Sequence, residues 1–483
     1  MNNVLNELSK VEQLARQLEP DQKILRQWSE SVLQYGLSFV DQLDSSGAYQ
    51  AHNGETLQFD DIQEGRGNID QVIQELKEKV DSIGINPASG GHLGYIPGGG
   101  LYPAALGDYL AAVTNRYAGI FYANPGAVSM ENDMIKWTAE QMGYPSNCGG
   151  NLCSGGSIAN LIAITTARDK MNIEGERVRD AVVYMTQQVH HCIHKALRIA
   201  GLGNTIWRNI PLDASFRMDV ERLEKQIQVD RQAGLNPFLV VGSAGTTDVG
   251  AVDPLEDLAR ICSASGCWFH VDGAYGAAFR LLEDKAELFS GMELSDSLVI
   301  DPHKGFFLPY GLGIVLIKDK LAMAKSHAYQ ANYMQDAMND SDLDFSPADL
   351  SPELTKHFRG LRMWMSLKLL GSSALKAGIR EKHLLAKYFW HSIQELGFEV
   401  GPDPALSVVT YRYPFEGETS NEMNLALMKY VLEDGYNFIS STTIEGDVWL
   451  RLAVLSFRTH RDRIDHLMDT LNRGVENLKS RQI

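Results

Sequence analysis

Ser297-Leu298-Val299-Ile300-Asp301-Pro302-His303-Lys304-Gly305-Phe306-Phe307 is a short apolar run that stops in a polar cluster carrying one lysine. An apolar run of this length, bounded by polar and turn-forming residues, reads as a strand buried on both faces. Unpaired lysines are rarely buried, whereas a desolvated amine with a lowered pKa suits Schiff-base chemistry. A surface or ion-paired lysine would satisfy the same pattern taken alone.

Upstream, Trp268-Phe269-His270-Val271-Asp272-Gly273-Ala274-Tyr275-Gly276 ends another such run in an aspartate and small residues. A carboxylate there needs a cationic partner. A protonated pyridine nitrogen would supply one, and the ion pair would keep the ring an electron sink. An aspartate capping a turn is the plain alternative.

Around these two runs, Ala181 to Met185, Phe238 to Ser243 and Gly313 to Ile317 also look like buried strands, with helical stretches between several of them. The alternation predicts an α/β domain with a mostly parallel central sheet covered by helices, where ligands gather at the carboxyl ends of the strands. After about Gly371, helical patterns at Leu384 to Leu396 and Met423 to Glu433 accompany strand-like runs at Ser407 to Tyr413 and Val448 to Val454, which reads as a smaller α+β domain. At the other end, Leu5, Leu8, Val11, Leu14 and Leu18 recur at helical spacing, and a second amphipathic stretch runs through Trp28, Val32 and Leu33. Such helices need a partner surface. The polar stretch from Asp44 to Asn68 reads as a linker. The expected division is residues 1–86 as a helical segment, 87–372 as the large α/β domain and 373–483 as the small domain.

Two further segments point to a ligand. Leu152-Cys153-Ser154-Gly155-Gly156-Ser157 opens a helical stretch, and glycines with free amides and a serine hydroxyl at a helix start make an anion site. It lacks the lysine ending of a P-loop and the spacing of a dinucleotide fingerprint, and an ordinary glycine turn would look the same. His190 follows the run at Ala181 to Met185 and could lay its imidazole over a flat ring. His190, His191 and His194 invite a zinc reading, but no cysteine or carboxylate set at ligand spacing completes a site, so no metal is expected.

Composition narrows the class. The chain has 483 residues, 44% hydrophobic and 22% charged, which fits a folded globular protein. Its net charge of -17 disfavours nucleic acid and anionic membranes as partners. The first residues lack a secretory pattern, no stretch approaches the roughly 20 apolar residues of a bilayer span, and the five cysteines do not form a disulfide framework. A cytoplasmic location is the simplest reading.

Taken in order and spacing, these pieces resemble the fold-type I, group II decarboxylases that use pyridoxal 5'-phosphate (PLP), the family acting on aromatic amino acids, glutamate, histidine and cysteine sulfinate. The resemblance runs from about Gly91 to Arg451. It implies that Lys304 carries PLP as a Schiff base, Asp272 pairs with the ring nitrogen, and His190 stacks on one ring face with Ala274 against the other. Gly156, Ser157 and His303 would hold the phosphate, and Thr247 would lie beside the cofactor. Asp301 stands where many members have asparagine. The implied reaction is loss of CO2 from an L-amino acid to give its amine, in a homodimer whose N-terminal helices wrap the partner.

The substrate pocket would involve His92-Leu93-Gly94-Tyr95-Ile96-Pro97-Gly98, where Tyr95 and Pro97 keep the aromatic-decarboxylase pattern and Gly98 replaces a threonine, together with Arg451. No basic residue in that segment awaits an acidic side chain. The family also has a loop tyrosine that returns a proton to the substrate carbon. Counting back from Trp364 lands on Phe345, which would divert the reaction to aldehyde, ammonia and peroxide, unless Tyr329 or Tyr333 serves instead. A decarboxylase, an aldehyde-forming enzyme and a PLP-binding protein without activity are therefore the three readings to separate.

Overall fold

A computed structural model describes residues 1–328, 345–415, 417 and 419–480. Its strands, in chain order, are β1 (Tyr49–Gln50), β2 (Gly84–Ile85), β3 (Gly149–Cys153), β4 (Ala181–Met185), β5 (Ile206–Asn209), β6 (Asn236–Ser243), β7 (Trp268–Asp272), β8 (Ser297–Ile300), β9 (Gly313–Ile317), β10 (Glu399–Val400), β11 (Val408–Arg412), β12 (Ser440–Ile444) and β13 (Asp447–Ala453). Seven of them form one sheet in the order β3-β9-β8-β7-β6-β4-β5. Strands β8, β7, β6, β4 and β5 are parallel neighbours, and β9 runs against both β8 and β3.

Side chains alternate across this sheet, as a two-residue period demands. Val182 and Tyr184 of β4 join one apolar core with Phe269, Val271, Leu298 and Ile300. Ala181, Val183 and Met185 join the opposite core with Trp268 and Val299. The second core lies under the helices Gly156–Lys170 and His191–Ile199, through Ala159, Ile162, Ile193 and Leu197. Because both faces are covered, β4, β6, β8 and β9 are nearly continuous apolar runs, which is why these strands are legible in the sequence.

The second sheet is antiparallel, in the order β10-β11-β13-β12. Its core combines Val409, Tyr411, Leu450 and Leu452 with Phe389, Leu427 and Leu467 from the helices Gly360–Glu395, Ser420–Asp434 and Arg461–Ser480. The helix Gly360–Glu395 breaks at Gly371, whose φ of 76° and ψ of 159° lie far from helical values. Met363, Leu375 and Ile379 face the large core, whereas Leu385, Phe389 and Ile393 face the small one.

At the N-terminus the helices Asn2–Ala15, Gln22–Gln42 and Ile69–Leu76 contain no buried residue within one chain. The expected linker from Asp44 to Asn68 differs in its first part. Ala48 is fully buried, its amide donates to Gly435 O, and β1 pairs with β2. Arg463 donates to the Leu43 and Asp44 carbonyls. Backbone groups of the segment make these bonds, so apolar periodicity does not mark them.

One buried ion pair ties the large domain together below the site. Lys356 Nζ lies 2.7 Å from Glu131 Oε2, with the two side chains 0% and 1% exposed, and donates to Leu152 O at 3.0 Å. Glu131 Oε1 also accepts from the Gly360 amide. Removing one member of a buried pair strands the other charge, at a cost of about 3–5 kcal/mol. Lys356→Met is expected to lower the thermal midpoint clearly, and Lys356→Met/Glu131→Leu to recover most of the loss; equal melting of the single and double variants would contradict this.

Candidate active site

The carboxyl ends of β6, β7 and β8 open, together with the start of the helix Gly156–Lys170, onto one cleft of about 440 Å³. Lys304, His190, Asp272, Gly156, Ser157, Thr247, Ala274, Asp301 and His303, the nine residues that the resemblance assigns to the cofactor, all line it. Asn160, Gln188, Cys192, Ser243, Thr246 and Tyr310 also line it, at positions that no motif in the sequence marks.

Lys304 follows β8 on a single helical turn, Pro302–Gly305. Its ammonium lies 3.0 Å from Asp301 Oδ2, and Asp301 is 2% exposed. Burial is the strongest influence on Lys304 and pulls its pKa down, but the carboxylates of Asp301 and Asp272 outweigh it, and the pKa lies above the ordinary lysine value. The lowered pKa expected from burial alone is therefore corrected: two carboxylates share the lysine's enclosure.

The helix Gly156–Lys170 starts without a side-chain cap, and Gly155 has φ 148°. Its first amides have no intrahelical acceptor and concentrate positive potential toward the cleft. Gly156 leaves room where a Cβ would stand 2.7 Å from Asp301 Oδ2. His303 Nδ1 lies 2.7 Å from Leu312 O, which makes it the donor and turns Nε2 toward Asp301 at 3.7 Å.

Asp272 ends β7, accepts from the Ala274 amide at 3.1 Å, and faces Asn160 Nδ2 at 3.4 Å. His190 caps the helix His191–Ile199 by accepting from the Cys192 amide, and its ring lies 4.1 Å from that of His191. Burial lowers the His190 pKa, against an upward pull from Asp272, which favours a neutral imidazole.

The nominated substrate residues are arranged differently. Tyr95, Pro97, Gly98 and Arg451 do not line this cleft. Tyr95 is 58% exposed and packs against Phe438 with centroids 5.6 Å apart. A Cβ on Gly98 would stand 2.4 Å from His303 O and 2.9 Å from Lys304 O, so this glycine is where the 92–98 segment seats directly on the lysine turn. Arg451 is 3% exposed and donates to the carbonyls of Thr247, Asp248 and Gly94 and to Ser440 Oγ. With its donors engaged in this way it clamps chain segments together. Phe345 is partly buried against the large-domain core, with Lys320 Nζ 5.7 Å from its ring, in a groove that also includes Asn147 and Cys148. Tyr329 and Tyr333 lie outside the described residues.

The cleft fits PLP on its own terms. Its volume suits a small aromatic cofactor, the uncapped helix start suits a phosphate, and Asp272 suits a ring cation. Two buried oxygens of residues that line the cleft, Asp301 Oδ1 and Gln188 Oε1, have no hydrogen-bond partner among the described residues. A lysine among carboxylates at the strand ends of such a sheet, beside an anion cradle, defines the class of fold-type I PLP enzymes.

Comparison with known proteins narrows the class. Residues 55–414 match the pyridoxal-dependent decarboxylase conserved domain. An aromatic-L-amino-acid decarboxylase from Bacillus atrophaeus is 34% identical over 382 residues, covering 78% of this chain and 79% of the relative. A phenylacetaldehyde synthase from Arabidopsis thaliana is 28% identical over 400 residues, covering 80% and 82%. The crystal structure of Oryza sativa TDC with PLP and tryptamine superposes with a TM-score of 0.90 at 23% identity, covering 95% of this chain and 99% of that one. The chain belongs to the pyridoxal-dependent decarboxylase family. It is a PLP-dependent carboxy-lyase.

Asp301 exerts the largest upward pull on Lys304. Asp301→Asn is therefore expected to lower the lysine pKa and to move the pH profile of Schiff-base formation, followed by absorbance as apoprotein takes up PLP, toward lower pH. An unchanged or raised midpoint would contradict this assignment.

Proposed function

We propose that the enzyme removes the α-carboxylate of an aromatic L-amino acid and releases the amine and CO2. The observation that carries this is the convergence of Lys304, Asp272, His190 and the Gly156–Ser157 helix start on one cleft. Bound PLP supplies an electron-accepting ring that takes up the electrons of the breaking Cα–carboxylate bond. Lys304 would be the covalent attachment point for the cofactor, and its amine, beside Asp301, can hold a proton at the cleft floor. Asp272 would pair with the ring nitrogen, Gly156, Ser157 and His303 would hold the phosphate, Thr247 would border the cofactor, and His190 and Ala274 would cover the two ring faces. Together they fix the orientation in which the carboxylate leaves.

An aromatic side chain is favoured over an acidic one by two facts. No arginine lines the cleft among the described residues, and the donors of Arg451 already serve carbonyls. The names of the Bacillus atrophaeus and Arabidopsis thaliana relatives point the same way. The second of those names keeps aldehyde formation as the competing reading. Against it, Phe345, the residue on which that reading rests, packs outside the cleft in its own chain.

We further propose a homodimer. Leu5, Leu8, Val11, Leu14 and Leu18 are each more than half exposed within one chain, an apolar stripe that a second copy would cover. The units 1–86, 87–372 and 373–483 are proposed as the working division, the break at Gly371 falling next to the second boundary. The enzyme is proposed to act in the cytoplasm, a reducing setting that suits its five unpaired cysteines. Among the described residues no helix is long and apolar enough to cross a membrane.

The activity is tested by incubating holoenzyme with aromatic, acidic and basic L-amino acids while CO2, amine and peroxide are measured. Amine matching CO2 without peroxide is expected from an aromatic substrate, with Phe345→Tyr leaving the product unchanged and Lys304→Ala inactive. Stoichiometric peroxide would overturn the reading. For assembly, light scattering is expected to give twice the 53.6 kDa chain mass, and Leu8→Glu/Val11→Glu to weaken the dimer; monomer alone in the unmodified protein would refute it.

A further inference from the structure

Trp268, His270, Asp272 and Ser297 share the sheet face that lies under the helix Gly156–Lys170, because alternate residues of β7 and β8 point the same way. His270 and Ser297 are both 0% exposed, as is Asn160 on the helix above. Polar groups so deeply buried must satisfy one another. Trp268 Nε1 donates to Ser297 Oγ at 2.8 Å. Ser297 Oγ lies 2.8 Å from His270 Nδ1, His270 Nε2 lies 2.7 Å from Asn160 Oδ1, and Asn160 Nδ2 faces Asp272 Oδ2 at 3.4 Å. The same Asn160 amide nitrogen is 3.3 Å from Cys192 Sγ.

We propose that Ser297, His270 and Asn160 are positioning residues, forming a one-way chain of hydrogen bonds from Trp268 to Asp272 that sets the orientation of the carboxylate facing the cofactor ring. The polarity is forced from the Asp272 end, and the Trp268 end is compatible with it. An indole N–H can only donate, and an ionised carboxylate can only accept. Asp272 therefore requires the amide nitrogen of Asn160, which turns the Asn160 carbonyl toward His270. That carbonyl only accepts, so His270 carries its proton on Nε2. Neutral His270 then offers a lone pair at Nδ1, to which the Ser297 hydroxyl donates while its oxygen accepts from Trp268. Burial lowers the His270 pKa to about 4, against an upward pull from Asp272, which agrees with a neutral ring.

The chain has a consequence for cofactor binding. Asp272 is held by the Ala274 amide on Oδ1 and by Asn160 on Oδ2. With each oxygen held by a donor, the carboxylate keeps one rotamer, and the ring nitrogen meets a preorganised partner. Without Asn160 the carboxylate gains rotational freedom that PLP binding must remove. The loss expected is about tenfold in affinity, the lower end for one hydrogen bond to a charged group, as suits a contact of 3.4 Å.

The proposal rests on the pairing of Asp272 with the ring nitrogen, and the test separates the two. In apoprotein labelled with ¹⁵N-histidine, His270 is expected as the neutral Nε2–H tautomer at pH 6, its signal assigned with His270→Gln; an Nδ1–H tautomer or an imidazolium would overturn the chain whatever Asp272 does. PLP affinity of the apoprotein is then measured for Asn160→Leu, Ser297→Ala and Ser297→Thr. Asn160→Leu should weaken binding about tenfold, Ser297→Ala should weaken it and mix the His270 tautomers, and Ser297→Thr should restore both. Unaltered affinity in Asn160→Leu, while Asp272→Asn does weaken binding, would refute the chain. Unaltered affinity in Asp272→Asn would instead remove the ring-nitrogen pairing.

Discussion

A single ammonium held among carboxylates at the edge of a parallel sheet organises this molecule. Removing Lys304 from water would be costly if it were alone, and Asp301 at 3.0 Å answers that cost directly. Both residues reach the same spot because β8 stops at Ile300, and the chain turns at once through Pro302 to Gly305. Asp272 arrives by the same device one strand over, at the end of β7. Parallel strands deliver their carboxyl ends to one edge, so side chains distant in sequence meet there without long loops.

The small domain completes this edge. Arg451 of β13 reaches across to the carbonyls of Thr247, Asp248 and Gly94, joining the second sheet to the Thr247 loop at the cleft and to the 92–98 segment. Gly98 then rests on the lysine turn, with no room for a Cβ against His303 O. A larger residue at position 98 would act on Lys304 through its backbone.

Much of the large domain was legible because strands buried on both faces leave unbroken apolar runs, as at Ala181–Met185 and Gly313–Ile317. Strands with other compositions were not. Strand β3 begins with two glycines and an asparagine, and β12 is Ser-Ser-Thr-Thr-Ile, so neither has an apolar signature. The docking of Ala48 against Gly435 escaped for a related reason, since a backbone hydrogen bond leaves no mark on residue type. His270 was visible only as part of a strand. Its value as a link depends on Asn160, 110 residues away, and on which nitrogen faces it.

The sequence by itself determined the class of protein: the Asp301–Lys304 turn after a buried strand, Asp272 after its neighbour and the glycines before a helix require particular residue types, and type is what a sequence records. Tertiary structure alone decided how those residues behave. Lys304 gained a raised pKa because two carboxylates outweigh its burial, Arg451 became a clamp because carbonyls surround its guanidinium, and Phe345 became a packing residue of the large domain. Each outcome depends on distances between groups far apart along the chain, and electrostatics and hydrogen bonding act through those distances.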